Sequence, residues 1–268
     1  MELIQIVGYF LAIFIGLTLG LIGSGGSILT VPILVYLLAI EPVLATAYSL
    51  FIVGITALVG LIRNIPKKQV DFKTGIIFAI PAFIAVYLTR KYLLPAIPEH
   101  LFFISDFEMT KNIAIMVFFA IIMLLAAVSM IRSNIKVEGV ENAKTLKFNY
   151  PLIIIEGLVV GVLTGLVGAG GGFLIIPALV LLAKLPMKKA VATSLMIIAV
   201  KSLIGFVGDV QNLEMDWTFL LTFSAFSVLG IFIGIFLNQW IDGKKLKTAF
   251  GWFVLLMAVY ILLREFAK

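Results

Sequence analysis

Apolar stretches follow one another along this chain almost without interruption. They cover roughly residues 3 to 22, 27 to 40, 44 to 62, 74 to 94, 113 to 131, 151 to 167, 172 to 183, 190 to 208, 218 to 241 and 248 to 263. Hydrophobic residues make up 62% of the chain and charged ones 13%, against about 45–50% and about 25% in a soluble domain. Such a chain cannot cover its own surface with polar groups, so it folds in a bilayer. Most stretches suit a helix of about 20 residues across the hydrocarbon core, but the second and seventh are too short for a straight span. The expected fold is an all-α polytopic membrane protein. The first stretch lacks a basic flank and a small-residue cleavage site, so it reads as a membrane helix rather than a signal peptide.

The two halves repeat. Residues 16–60 align with 161–205 at a constant offset of 145 with 18 identities in 45 positions. The matches include Gly16/Gly161, Gly20/Gly165, Gly23/Gly168, Gly25/Gly170, Gly26/Gly171, Pro32/Pro177, Ser49/Ser194 and Gly60/Gly205. Apolar composition alone does not bring glycines and prolines into register. Residues 1–131 are therefore read as a first membrane repeat, 132–150 as a polar cytoplasmic linker and 151–268 as a second repeat. Each short stretch follows a glycine cluster, which marks a helical hairpin broken at the glycines.

Charge then orients the chain. The loops at 63–73, 132–150, 184–189 and 242–247 hold 14 of the 20 Lys and Arg residues, which assigns them to the cytoplasm. The corner at 41–43 and the loop at 209–217 carry Glu41, Asp209, Glu214 and Asp216 without a basic residue, so they face outward, as do both termini. Arg90, Lys91 and Lys111 flank an outer loop, where nearby acids and snorkelling make them tolerable. Equivalent corners fall on opposite sides, so the repeats, each of about five helical segments, are inverted. Inverted repeats with interrupted helices mark secondary transporters that bind substrate near the midplane. Whether the hairpins cross fully, giving eight or ten spans, stays open, and so does homo-oligomerisation.

The chemistry-bearing residues are few. The chain has no cysteine and a single histidine, His100, which removes thiolate and histidine metal sites and the usual nucleophilic triads. It also lacks a Walker A pattern and paired intramembrane carboxylates, so neither an enzyme nor a bound cofactor or metal is expected. The positive charge lies in short loops, and nucleic acid is not an expected partner. At Gly23-Ser24-Gly25-Gly26 and at Gly168, Gly170 and Gly171, a backbone turn followed by a helix start can present N–H groups to an anion. Close helix packing is the alternative, and it suits Gly16, Gly20, Gly161 and Gly165 well. Lys201 sits in the middle of an apolar segment, where an ammonium costs roughly 2.5–3.5 kcal/mol. Ser194 shares its helix face, as Ser49 and Thr56 share the matching face in the first half. These residues, with Thr193, are the candidate substrate site. A structural ion pair of Lys201 with Glu156, or an uncharged buried amine, is the alternative. Glu156 is also the candidate for proton coupling. Asn64 and Asp209 occupy equivalent helix ends and are candidate caps or gates. Trp217, Trp240 and Trp252 read as interfacial anchors.

Two segments carry a recognisable signature. Gly-Leu-Ile-Gly-Ser-Gly-Gly-Ser with Pro32 and Ala45-Thr46-Ala47-Tyr48-Ser49 is echoed by Gly-Leu-Val-Gly-Ala-Gly-Gly-Gly with Pro177 and Ala190-Val191-Ala192-Thr193-Ser194. Over essentially its whole length the chain resembles the sulfite exporter TauE/SafE family. The resemblance implies a bacterial or archaeal plasma-membrane permease for a small anion such as sulfite, an organosulfonate or a related carboxylate. Since an inside-negative potential drives anions outward, export by alternating access is expected. An anion channel and a proton-coupled importer are the alternatives.

Overall fold

The computed structural model describes residues 3–104, 107–132, 150–181, 183, 185–238, 240 and 243–267. Most of the expected linker, 133–149, lies outside them. Helix α1 (Leu3–Ile22) ends in a 3-10 turn at Gly23–Leu29, followed by the short α2 (Thr30–Pro32) and a π-helical turn at Ile33–Leu37. This arm doubles back along α1. A Cβ on Gly26 would touch Leu19 and Thr18, and one on Gly8 would touch Leu38. Then come α3 (Pro42–Asn64), α4 (Phe72–Leu88), a π-helical turn at Thr89–Leu93, α5 (Leu94–Ala96) and α6 (Lys111–Arg132). The second half holds α7 (Tyr150–Val167), α8 (Gly172–Leu181), α9 (Met187–Val210), α10 (Trp217–Leu237) and α11 (Gly243–Phe266). Six helices among the described residues are long and apolar enough to cross a membrane, and apolar helical stretches also run over 7–22, 26–37 and 151–167. The chain is an all-α polytopic membrane protein.

One element is new relative to the sequence reading. In the loop between α5 and α6, β1 (His100–Ile104) pairs antiparallel with β2 (Phe107–Thr110). Aromatic and branched side chains in this short run favour a pleated ribbon over a helix. His100, exposed in this hairpin, contacts Glu108.

Helix α3 and helix α9 form the centre. The windows Pro42–Asn64 and Lys188–Val210 are each 72% buried, whereas that of α11 is 33% buried. The two run antiparallel, since Gly54 meets Leu203, Gly60 meets Leu195 and Gly205 meets Leu50. This register brings Thr56 level with Lys201. Around the pair, α1 packs on α10, α7 on α4 and α6 on α11. Helices α1 and α10 run parallel, with Gly16 against Ser227 and Gly20 against Gly234. Helices α7 and α4 also run parallel, with Gly157 against Phe78, Gly161 against Ala82 and Gly165 against Thr89. Glycine lets the helix backbones approach closely, which is how helices associate where lipid removes the hydrophobic drive.

The offset of 145 extends to residues that the sequence alignment did not reach. Asp71 caps α4 by accepting from the Thr74 N–H at 2.9 Å, and Asp216 caps α10 by accepting from the Phe219 N–H at 2.9 Å. The Asp71 N–H donates to Thr193 Oγ1 at 2.9 Å, while the Asp216 N–H donates to Tyr48 Oη at 2.8 Å. Each bond is thus the counterpart of another in the opposite half. Replacing either aspartate by alanine leaves helix N–H groups unpaired and is expected to cost about 1 kcal/mol. Thermal unfolding in detergent checks this. The two losses should add in the double variant, because the caps share no partner, and wild-type stability in both single variants would refute the assignment.

Candidate functional site

Among the described residues four glycines hold a positive φ: Gly23 at 72°, Gly168 at 73°, Gly170 at 64° and Gly171 at 62°. Side chains rarely adopt this conformation, and three of the four form one turn at the end of α7. Two serines of the first half grip that turn. Ser27 Oγ donates to the Ala169 carbonyl at 2.6 Å, and Ser49 Oγ donates to the Gly168 carbonyl at 2.8 Å. The broken hairpins of the two halves therefore meet inside the protein. The N–H groups of Gly168 and Gly171 are not turned outward here: they bond to the carbonyls of Thr164 and Ala169, each at 2.7 Å. At these two positions the expectation of unpaired amides is not met in this conformation.

Lys201 lies against the same turn. It is fully buried, and its Nζ donates to Thr164 Oγ1 at 2.7 Å. A Cβ on Gly171 would lie 2.8 Å from that Nζ and 2.3 Å from Thr164 Oγ1. Only glycine permits this approach of backbone to ammonium. No carboxylate pairs with Lys201 among the described residues, so the ion pair with Glu156 does not form. Glu156 is half-buried, and its Oε2 has no hydrogen-bond partner. Beside Thr164, Ala169 and Gly171 is a void of about 10 Å³, about the size needed for one water.

The remaining candidate residues divide. Thr56 Oγ1 donates to the Ile52 carbonyl of its own helix at 2.6 Å and is bonded to Ser227 Oγ at 3.0 Å. Ser194 Oγ donates to the Val191 carbonyl at 2.8 Å, and Thr193 binds the start of α4 as described above. All three are buried, and the hydrogen bonds described for them go elsewhere than the Gly168–Gly171 turn. Gly23 packs against Val191 and Gly26 against α1. Ser24 and Gly25 belong to the first 3-10 turn, and the environment of their side-chain positions lies outside what is described. Gly16, Gly20, Gly161 and Gly165 are helix-packing positions. Trp217, Trp240 and Trp252 are exposed.

Two polar centres were missed or misjudged in the sequence. Arg90 does not snorkel. It is fully buried, with Nη1 3.2 Å from Asp209 Oδ2 and donating to Thr46 Oγ1 at 3.0 Å. Asp209, 2% exposed, is its counter-ion rather than a solvated helix end. Thr164, the partner of Lys201, was also passed over. A signal was available: at the offset of 145, Thr164 stands opposite Leu19, and Arg90 opposite Ile235. A polar residue where its repeat mate is apolar is not demanded by the shared packing. By contrast, Lys111 sits 3.7 Å from Glu99, as an acid-balanced flank should.

Comparison with known proteins places the chain. The family model described as sulfite exporter TauE/SafE matches residues 9–265. A probable membrane transporter protein of Xylella fastidiosa is 26% identical over 257 residues, covering 95% of this chain and 93% of that relative. The probable membrane transporter protein YunE of Bacillus subtilis is 28% identical over 261 residues, covering 90% and 92%. A probable membrane transporter protein of Methanocaldococcus jannaschii is 35% identical over 117 residues, covering 41% and 44%. No solved structure matches the chain. With a membrane fold, two glycine-broken hairpins that meet at a buried lysine, and a family match along nearly its whole length, the chain belongs to the sulfite exporter TauE/SafE family of membrane proteins.

Proposed function

We propose that this membrane transporter is a secondary exporter of small oxyanions, such as sulfite, organosulfonates or related carboxylates, working by alternating access between two inverted repeats. One observation carries the reading. A buried lysine with no carboxylate partner lies against the Gly171 backbone, at the level where the central helices of the two halves cross. A cation held there at cost needs an anion to offset it, and Thr164 supplies a hydroxyl beside it, while Ser27 and Ser49 hold the neighbouring carbonyls of the turn. The inversion is supported by helix direction. Helices α1, α3 and α10 run one way and α4, α7 and α9 the other, so each helix runs against its numerical counterpart. On this reading the turn at Gly23 and the turn at Gly168 reach the midplane from opposite sides.

Voltage sets the direction. An inside-negative potential favours exit of a monovalent anion by about 2.3 kcal/mol per 100 mV, so export requires no co-ion. Proteoliposomes loaded with sulfite or sulfoacetate and clamped by potassium diffusion potentials test this. Efflux should accelerate with an inside-negative potential and proceed without a pH gradient. A flux that needs an inward proton gradient and ignores voltage would favour the second reading, proton-coupled import, for which the unpaired Oε2 of Glu156 is the supporting observation. Thermal unfolding against the same anions names the class: a ligand at 100 times its dissociation constant adds about 2.7 kcal/mol. Absence of flux and of stabilisation for every anion would end the proposal.

A further inference from the structure

Arg90 is the largest fully buried side chain among the described residues, and it is only half used. Its Nη1 faces Asp209 and Thr46. The opposite edge, formed by Nε and Nη2, is buried and has no hydrogen-bond partner. Those two N–H groups point in parallel and match a pair of oxygens on one atom, as in a carboxylate, sulfonate or sulfite. A guanidinium kept for structure alone is normally satisfied on all its donors, because a buried N–H without an acceptor is costly. Here the protein turns a single contact toward its own carboxylate and leaves the two-pronged edge unpartnered.

The fold does not require this centre. At the offset of 145, Thr46, Asp209 and Arg90 correspond to Val191, Asn64 and Ile235. The other half therefore builds the same junction without an ion pair: Gly23 packs on Val191 where Gly168 packs on Thr46, and the Asn64 side chain bonds to the Gly60 carbonyl of its own helix. The Arg90 centre is also continuous with the glycine turn. A Cβ on Gly168 would lie 2.5 Å from the Thr46 carbonyl oxygen, and the Gly168 carbonyl is held by Ser49. A π-helical turn at Thr89–Leu93 carries Arg90 inward, a local irregularity that recurs at functional positions.

We infer that the Nε–Nη2 edge of Arg90 is a second oxyanion-binding site, on the Gly168 side of the transport path, with Asp209 as the internal carboxylate that weakens anion binding there. This rests on the reading of the chain as an anion transporter. Asp209 neutralises Arg90 while the path is closed and repels the substrate once it arrives, so the anion is held loosely enough to leave. Lys201 and Arg90 then act as successive stations for one anion.

Binding of sodium sulfite, sulfoacetate and acetate to the detergent-purified full chain, read from concentration-dependent unfolding temperatures, tests the assignment. Asp209→Asn removes the repulsion and should tighten binding of at least one anion tenfold or more. Arg90→Lys keeps the charge but loses the two-pronged edge, and should weaken the same anion at least tenfold. The neutral pair Arg90→Gln with Asp209→Asn preserves net charge and polarity, so it tests the site even where a single variant does not fold. In that pair the two-pronged edge is gone, and the same anion should bind at least tenfold more weakly than to wild type. Dissociation constants within twofold of wild type in Asp209→Asn, or in the folded pair where the single variant does not fold, while Lys201→Met abolishes binding, would overturn the Arg90 site and leave the transporter reading standing. Failure of every anion to bind wild type and variants alike would overturn both.

Discussion

Gly16→Ala is expected to destabilise the protein by at least about 3 kcal/mol, the upper end of overpacking costs, and so to abolish recovery of folded protein. The added Cβ would lie 1.8 Å from the Ser227 carbonyl oxygen and 2.7 Å from its carbon. Both atoms are backbone, so no side chain can turn aside and the helices must move apart. The seam between α1 and α10 is close along its whole length: a Cβ on Gly230 would lie 2.0 Å from the Ile13 oxygen, and one on Gly234 would lie 2.2 Å from the Leu17 oxygen. Opening it by even 0.5–1 Å forfeits about a quarter to a half of each dispersion contact. Graded controls follow from the same geometry. Gly161→Ala, at 2.5 Å from the Ala82 oxygen, should cost less. Gly8→Ala, which meets only the flexible end of Leu38 at 2.9 Å, should cost under about 1 kcal/mol. The yield of folded Gly16→Ala protein, with unfolding temperatures for Gly161→Ala and Gly8→Ala, gives the order, and a Gly16→Ala protein as stable as wild type would contradict the packing of α1 on α10.

That seam illustrates what could be read before any coordinates. Glycine is the one residue whose repetition at Gly16, Gly20, Gly161 and Gly165 is informative in an apolar chain, because ordinary hydrophobic side chains exchange freely in lipid while a backbone contact does not. The apolar stretches located the helices too, since those read at 44–62 and 218–241 fall within a few residues of Pro42–Asn64 and Trp217–Leu237. The side-chain partners were not legible. Periodicity could put Lys201 and Ser194 on one face, yet Ser194 turns back to its own helix, and Lys201 reaches Thr164 on α7. Partner choice depends on how two helices cross, which no single-helix pattern contains. Arg90 failed differently. Its neighbours Lys91 and Tyr92 read as a membrane edge, and the π-helical turn that carries Arg90 inward has no propensity signature. Comparison of one half with the other is the remedy, because a polar residue opposite an apolar one stands out without any structure.

Lys201→Met is expected to reduce anion flux in proteoliposomes by about 100-fold, the equivalent of about 2.7 kcal/mol, while leaving unfolding within about 1 kcal/mol of wild type. The two halves of this expectation have separate causes. Stability changes little because two terms oppose each other. Burying the ammonium costs roughly 2.5–3.5 kcal/mol on the insertion scale, and its hydrogen bond to Thr164 returns about 1.5–3 kcal/mol. Methionine fills a comparable volume and removes both. Flux falls because the remaining hydroxyl of Thr164 cannot replace a full positive charge in a buried site, where electrostatic attraction is strongest. Thr164→Val separates the charge from its tether. The ammonium stays while its partner is lost, so flux should fall by less than tenfold. Gly171→Ala adds the complementary test, since its Cβ would press on both Thr164 Oγ1 and Lys201 Nζ at a positive φ. It should lose flux as Lys201→Met does, but with a loss of stability as well. A Lys201→Met protein that transports at the wild-type rate would remove the lysine from the path. One that fails to fold while Thr164→Val folds normally would make the amine a structural strut, with the anion held elsewhere along the seam between the halves.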